Sequence, residues 1–227
     1  MAPREFEMLN SVEVKASEGK GLGLFAKANI PANTIVSRES PIIYGSPRIR
    51  SRSYEEKVRV FCEAYSSASV SQRGQLDNHA WNPEQHEQHK DLYNHFDKWL
   101  KDLMERSRIY EPEVPRTEPV LALIKAYSIF WINASGTPDN GAAVYSTFAR
   151  SNHSCRPNTT WRYIGDRPYE LELVTECDIP AGEEITVAYD NLSRLKLDDR
   201  RRVLSNWGFT CQCERCTEEE YAMGRLG

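Results

Sequence analysis

Short apolar runs punctuated by glycine and proline occupy both ends of this chain, and apolar residues at helical spacing occupy its middle. Near the N-terminal end, Ser11-Val12-Glu13-Val14-Lys15 alternates with the period of two that a half-buried strand requires. The glycine-rich Gly19-Lys20-Gly21-Leu22-Gly23-Leu24-Phe25-Ala26 follows. Next come a turn around Ile30-Pro31-Ala32-Asn33 and another short run, Thr34-Ile35-Val36-Ser37-Arg38. Residues 11–45 are therefore expected to be β-structure. From 52 to 135 the period changes. Tyr54, Val58, Phe61, Cys62 and Tyr65 recur at helical spacing, as do Leu92, Phe96, Trp99, Leu100 and Leu103. The polar stretch Ser66 to Lys90 reads as a loop with short helical pieces. Glu111-Pro112-Glu113-Val114-Pro115 reads as a link, and Val120 to Trp131 as a third helix. Short strands return over 140–190, where Leu171 to Glu176 alternates and a turn, Asp178-Ile179-Pro180-Ala181-Gly182, leads into Glu183 to Tyr189. Residues 196–207 predict a final helix with Leu197, Val203, Leu204 and Trp207 on its apolar side. The pattern gives an α+β chain, mainly β, with a helical insertion over 46–139.

Composition narrows the class. A chain of 227 residues can bury one sizeable core, or one core with a large insertion. Its 40% hydrophobic and 27% charged residues suit a soluble globular protein. No apolar run approaches bilayer length, and Met1-Ala2-Pro3-Arg4-Glu5-Phe6-Glu7 carries no apolar signal region. The expectation is an intracellular protein of cytoplasm, nucleus or both, without a membrane partner. A formal net charge of −4 argues against direct nucleic-acid binding. The basic clusters Arg48-Ile49-Arg50-Ser51-Arg52 and Arg200-Arg201-Arg202 are short, and the second reads as a solvated helix face. A basic peptide suits a mildly acidic surface better. Oligomeric state is not legible.

Four segments carry candidate chemistry. Gly19-Lys20-Gly21-Leu22-Gly23 would let backbone approach a ligand, or would simply make a tight turn; it has neither phosphate-loop nor dinucleotide-fold spacing. Ser151-Asn152-His153-Ser154-Cys155-Arg156-Pro157-Asn158 concentrates polar and nucleophilic side chains. A Cys–His nucleophile pair is disfavoured there, because folds rather than sequence adjacency bring such pairs together. Gly182 to Tyr189 is a turn glycine leading into a strand that ends in tyrosine. Cys211-Gln212-Cys213-Glu214-Arg215-Cys216 is the strongest of the four taken alone. In an intracellular chain this crowding suggests metal rather than disulfides, and a structural Zn²⁺ takes four N or S ligands. The fourth would come from Cys62, Cys155, Cys177 or one of the five histidines. Cys62 lies on the apolar side of a helix and Cys177 borders a strand, so Cys155, in a polar turn, is the freest.

In this order, G-K-G-L-G-L-F-A, N-H-S-C-R-P-N, G-E-E-I-T-V-A-Y and W-G-F-T-C-Q-C-E-R-C resemble the SET-domain lysine methyltransferases. The resemblance covers residues 11–45 and 140–217. The C-x-C-x-x-C tail is similar to that of the SMYD-like group, but residues 46–139 hold one cysteine, Cys62, so the zinc-binding MYND module of that group is not expected. The resemblance implies a SET β-fold with a pseudoknot, in which the N-H-S-C segment and the strand ending at Tyr189 cross. Its expected division is 1–45 and 140–195 for the two SET parts, 46–139 for the insertion and 196–227 for a post-SET helix and zinc tail. It implies S-adenosylmethionine as co-substrate, contacted by backbone around Lys20, Gly21 and Leu22 and by Asn152, His153 and Tyr189, with Trp207 and Phe209 folding over it. It implies one structural zinc on Cys155, Cys211, Cys213 and Cys216, and Tyr189 as the catalytic tyrosine. The implied substrate is a lysine of a protein or peptide, histone or non-histone. A small amine acceptor and a non-catalytic interaction module are the competing readings.

Other features read more plainly. His79, His86, His89 and His95 crowd one region, where solvent-facing histidines are favoured over a metal site. Leu92, Phe96, Trp99, Leu100 and Leu103 form a core stripe. Cys62 and Cys177 read as partly buried cysteines, and Glu218-Glu219-Glu220 as a solvated end.

Overall fold

The computed structural model describes residues 11–108 and 115–224. The expected link residues 111–114 and the opening segment lie outside them. The chain opens with strands β1 (Val12–Ser17), β2 (Gly21–Ala26), β3 (Ile35–Glu39) and β4 (Ile43–Gly45). Helices α1 (Tyr54–Ser67), α2 (Val70–Asp77), α3 (Pro83–His89), α4 (Tyr93–Arg106) and α5 (Thr117–Asn133) follow. Short strands resume as β5 (Ser135–Gly136), β6 (Ala142–Val144), β7 (Asn152–His153), β8 (Thr159–Ile164), β9 (Glu170–Thr175) and β10 (Glu184–Val187), before α6 (Leu197–Leu204) and α7 (Glu214–Ala222). Two compact units result. One holds residues up to 39, 147–166 and 170 onward; the other holds 40–146 and 167–169.

The first unit contains two sheets. One has the order β1-β2-β10-β7, the other β3-β9-β8. β1 and β2 form a hairpin whose register runs from Val12↔Ala26 to Ser17↔Gly21. Gly19 and Gly21 sit at φ +69° and +80°, where a side chain would strain the backbone. β10 lies antiparallel to β2 and parallel to β7, with Thr186↔Asn152 and Val187↔His153 as partners. That pairing sets the N-H-S-C segment beside the strand leading to Tyr189.

In the second sheet Arg38 and Arg162 are the direct cross-strand partners of Glu172. The alternation of β9 suggests an outward glutamate, yet Glu172 is 0% exposed, because β9 is the central strand and both neighbours cover it with guanidinium groups. Arg38 donates to its Oε1, and Arg162 Nε donates to Oε2 at 2.6 Å. Burial pushes this carboxyl up, but the two arginines outweigh burial and hold it below its ordinary value of 4.5. A depressed folded-state pKa contributes stability that is present above the unfolded value and is lost as pH falls through the folded one. Glu172→Gln should therefore destabilise by about 1.5–3 kcal/mol at pH 7, and denaturant titrations should show that gap narrowing below about pH 4.

The second unit pairs its helices with the small sheet β4-β6-β5. Ser53 and Ser69 start α1 and α2 with reciprocal capping boxes, Ser53 with Glu56 and Ser69 with Gln72. The core is aromatic: Phe61 meets Tyr127 and Phe130 at 5.2 and 5.4 Å, and Phe96 meets Tyr127 at 5.4 Å. Phe96 and Trp99 are buried on α4 as the stripe suggests. The helix expected over Val120 to Trp131 is α5, which extends past both expected ends, from Thr117 to Asn133.

Two histidines differ from expectation. His79 is buried, with Nδ1 2.7 Å from the Gln75 carbonyl and Nε2 3.2 Å from that of Ser146. His89 is half-buried with Nδ1 2.8 Å from Ser128 Oγ. Both serve packing rather than a solvated face.

Candidate functional site

β7 and β10 organise the site. At one end of the pair, Asn152 Nδ2 donates to the Leu22 carbonyl at 3.1 Å and to Glu184 Oε1 at 2.7 Å. Glu184 Oε2 accepts from Lys20 Nζ at 2.8 Å. The glycine-rich turn, the N-H-S-C segment and β10 are thus tied by one carboxylate. Burial raises the Glu184 carboxyl, while hydrogen bonds from Asn152 and Lys20 hold it below its ordinary value. Gly23 makes room beneath: a Cβ there would lie 2.4 Å from Glu184 Oε1 and 3.0 Å from Asn152 Nδ2. Both Glu184 and Gly23 lie inside candidate segments of the sequence, which gave neither a role of its own.

At the other end lies an aromatic wall. The Tyr189 backbone N–H donates to His153 Nδ1 at 3.1 Å, so His153 carries its proton on Nε2, 3.3 Å from Cys155 Sγ. Burial pushes His153 down to about 4 and keeps the ring neutral. The Tyr189 ring lies 5.4 Å from His153, 5.5 Å from Trp207 and 6.2 Å edge-on from Phe209. Its hydroxyl donates to the Ser151 carbonyl at 3.2 Å. Burial, then the charge of Glu184, push the phenol up to about 12, so it keeps its proton across the physiological range.

The four cysteines meet behind this wall. The sulfurs of Cys155, Cys211, Cys213 and Cys216 all lie within 4.8 Å of one another. Cys155 Sγ is 4.0 Å from Cys211 Sγ and 3.6 Å from Cys216 Sγ. Zn–S bonds of about 2.3 Å at tetrahedral angles would separate sulfurs by about 3.8 Å, so the donor set fits a zinc ion. Cys62 is buried and Cys177 is exposed elsewhere. Among the described residues no histidine group joins a metal-capable cluster.

The support around the cysteines was not legible in the chain. Arg200, read as solvated, is fully buried. It donates to the Leu195 carbonyl at 2.8 Å, to Glu219 at 2.9 Å and to Cys216 Sγ at 3.5 Å. Arg201 pairs twice with Glu220 at 2.8 Å and donates to the Cys211 carbonyl at 3.2 Å. Glu218 pairs with Arg156 at 2.6 Å. The glutamates expected to form a solvated end belong to α7, a helix the sequence did not predict, which begins just after Cys213; Glu218 is exposed on it, while Glu219 and Glu220 are partly covered. Outer partners of this kind orient ligands and tune affinity. Arg200→Met is expected to weaken zinc retention about 10- to 100-fold, read by competition with a chromogenic chelator.

Every sequence-proposed cofactor residue therefore falls on one of two adjoining groups. Lys20 and Asn152 gather at Glu184, with the Gly21–Leu22 backbone alongside. His153, Tyr189, Trp207 and Phe209 gather against the cysteines. No helix among the described residues is long and apolar enough to cross a membrane.

Known proteins resemble this chain in sequence and in fold. The SET-domain protein L678 of Acanthamoeba polyphaga mimivirus is 27% identical over 199 residues, covering 87% of this chain and 74% of that protein. Histone-lysine N-methyltransferase set5 of Schizosaccharomyces pombe is 25% identical over 228 residues, all of this chain and 56% of that protein. SET5 of Yarrowia lipolytica is 42% identical over 78 residues, 34% of this chain and 17% of that protein. The chain thus spans little more than half of the fungal protein it matches over its full length. The solved SET domain of LSMT bound to lysine and AdoHcy shares the fold, with a TM-score of 0.51 at 14% identity, over 93% of this chain and 54% of that one. The family model for the SET domain matches residues 21–190, and the chain belongs to that family.

Proposed function

We propose that this chain is an S-adenosylmethionine-dependent methyltransferase that modifies a lysine side-chain amine of a protein substrate and holds one structural zinc. The observation that carries the reading is the junction on β7 and β10: a hydrogen-bonding pole at Asn152 runs directly into a neutral, aromatic-walled pole around Tyr189. Family membership and fungal relatives named histone-lysine N-methyltransferases support it. Histone tails are accordingly one substrate class, and a nuclear or cytoplasmic location follows from the same likeness.

The residues fit the donor. The Asn152 amide donates both hydrogens, to Leu22 and Glu184, which leaves Oδ1 as its acceptor end, so it would take an ammonium group. Gly21 holds a left-handed backbone with open space where a Cβ would stand. The rings of Tyr189, Trp207 and Phe209 suit a cationic sulfonium face. S-Adenosylmethionine, when bound, supplies an activated methyl group. Lys20, Gly21, Leu22, Asn152, His153, Trp207 and Phe209 would hold it.

The acceptor must arrive as a neutral amine, although a free lysine has a pKa of about 10.4. Desolvation by the aromatic wall favours the uncharged form. Tyr189 keeps its own proton and therefore orients the amine and polarises the site rather than serving as base. Alignment and preorganised electrostatics supply the acceleration.

The direct test is transfer of labelled methyl from S-adenosylmethionine to lysine-bearing histone-tail peptides, with free lysine and small amines as parallel acceptors. Label appearing on peptide lysines supports the reading. Label confined to free amines would replace the substrate class, and no label on any acceptor would remove the enzymatic assignment.

A further inference from the structure

Glu184 stands outside the residues assigned above to donor or acceptor, yet it is the point at which the Lys20 turn, β7 and β10 converge. We infer that Glu184 is a positioning residue that fixes which way the Asn152 amide faces, and thereby makes the site select a donor carrying an α-ammonium group. The inference rests on the proposed methyl-donor reading and deepens it.

An asparagine amide can present either a donor NH₂ or an acceptor oxygen to a ligand, and its neighbours decide which. Here one neighbour is a backbone carbonyl, Leu22, and the other a carboxylate, Glu184. Both only accept. The Nδ2 end must face them, and the Oδ1 end is left as the group's acceptor. A flipped amide would set oxygen against two oxygens. The carboxylate is itself held by Lys20 Nζ at 2.8 Å, and its side chain is 16% exposed, so its charge is anchored rather than mobile. Only glycine at position 23 permits the Glu184–Asn152 contact, since a Cβ would intrude on both groups.

Glu184→Gln makes the logic visible. The substituted side chain has one oxygen and one NH₂ for three donors, Lys20, Asn152 and Ser17. The ammonium of Lys20 makes the stronger, charge-assisted bond and takes the oxygen. The introduced NH₂ then faces Asn152 and calls for its oxygen, while the Leu22 carbonyl still calls for its NH₂, so the amide loses its fixed sense and an NH₂ group meets the ligand's ammonium in part of the molecules.

The experiment compares calorimetric affinities for S-adenosylhomocysteine and for its des-amino analogue, in zinc-loaded wild type and Glu184→Gln, with thermal unfolding of both recorded. Wild type should prefer the amino-bearing ligand at least about tenfold. In the variant that preference should fall by about twofold or more, while the des-amino analogue keeps its wild-type affinity unchanged within error. A structural role alone would weaken both ligands together. A variant that retains the preference, or that loses both ligands equally while still folded, overturns the inference. Failure of wild type to bind either ligand overturns the donor reading itself. Should Glu184→Gln not fold, the Asn152 side-chain amide resonances of wild type decide the matter. They should keep their carboxylate-bonded shift when S-adenosylhomocysteine binds, and loss of that shift would contradict the assignment.

Discussion

Replacing Cys211 by serine is expected to empty the zinc site and unfold the segment from Ser205 to Gly224. Three of the four sulfurs come from six consecutive positions, and the fourth, Cys155, lies 56 residues earlier than Cys211. The ion therefore closes a long loop and fastens α6 and α7 to the N-H-S-C segment. The apolar contribution on its own is small: Leu192, Leu197 and Leu204 are the buried aliphatic residues of this cluster, and Cys211 and Cys216 complete it. Without a cation, the neighbouring sulfurs and burial push the Cys155 and Cys211 thiols up and keep them protonated, so the metal-free cluster lacks the ligand bonds that fasten the segment. Binding of a structural zinc is worth about 10–16 kcal/mol in small zinc domains and is spent on folding. The variant should retain less than about one tenth of a zinc per chain, and its Tm should fall by about 10 °C or more. Hydrogen exchange should show the amides of 205–224 unprotected while β8 and β9 stay protected. Trp207 and Phe209 lie on the same segment, so donor binding should be lost with the metal. Stoichiometric zinc in the variant would show that the cysteine set is not its site.

Tyr189→Phe should lower kcat about 10²- to 10³-fold, the usual consequence of removing one preorganised polar group at a reacting centre. The phenylalanine ring preserves the contacts with His153, Trp207 and Phe209, so donor affinity should change less than about threefold. The hydroxyl lost is the one bonded to Ser151. Because burial pushes the phenol up to about 12, its titration does not enter the working range. The rate in wild type should rise with pH toward the acceptor lysine's own pKa, and the variant should show the same profile, displaced downward. A variant with unchanged kcat, or one whose pH profile differs in shape, would remove Tyr189 from the reaction.

The strands, the insertion helices and the cysteine tail were legible because each depends on local signals: period, glycine and proline punctuation, and ligand spacing. Cys155 was reachable by chemistry, being the cysteine in a polar turn. Glu184 was not, since its role depends on Lys20, 164 residues away, and on Asn152, 32 residues away, meeting across the β2-β10-β7 order. The charge runs at 200–202 and 218–220 misled in part for the same reason. In sequence each looks solvated, and Arg202 and Glu218 are; only the packing of α7 against α6 turns the others into Arg200–Glu219 and Arg201–Glu220 pairs, the first with its arginine fully buried. His79 and His89 follow this rule too, because carbonyl and hydroxyl partners far along the chain admit polar rings to the interior.

The most direct test of the central claim is calorimetric titration of the zinc-loaded chain with S-adenosylmethionine. One donor per chain, bound with a Kd of about 1 µM to 1 mM and lost on chelation of the metal, is the predicted result. A zinc-loaded, folded chain that gives no binding heat and no donor-induced thermal shift would contradict the account.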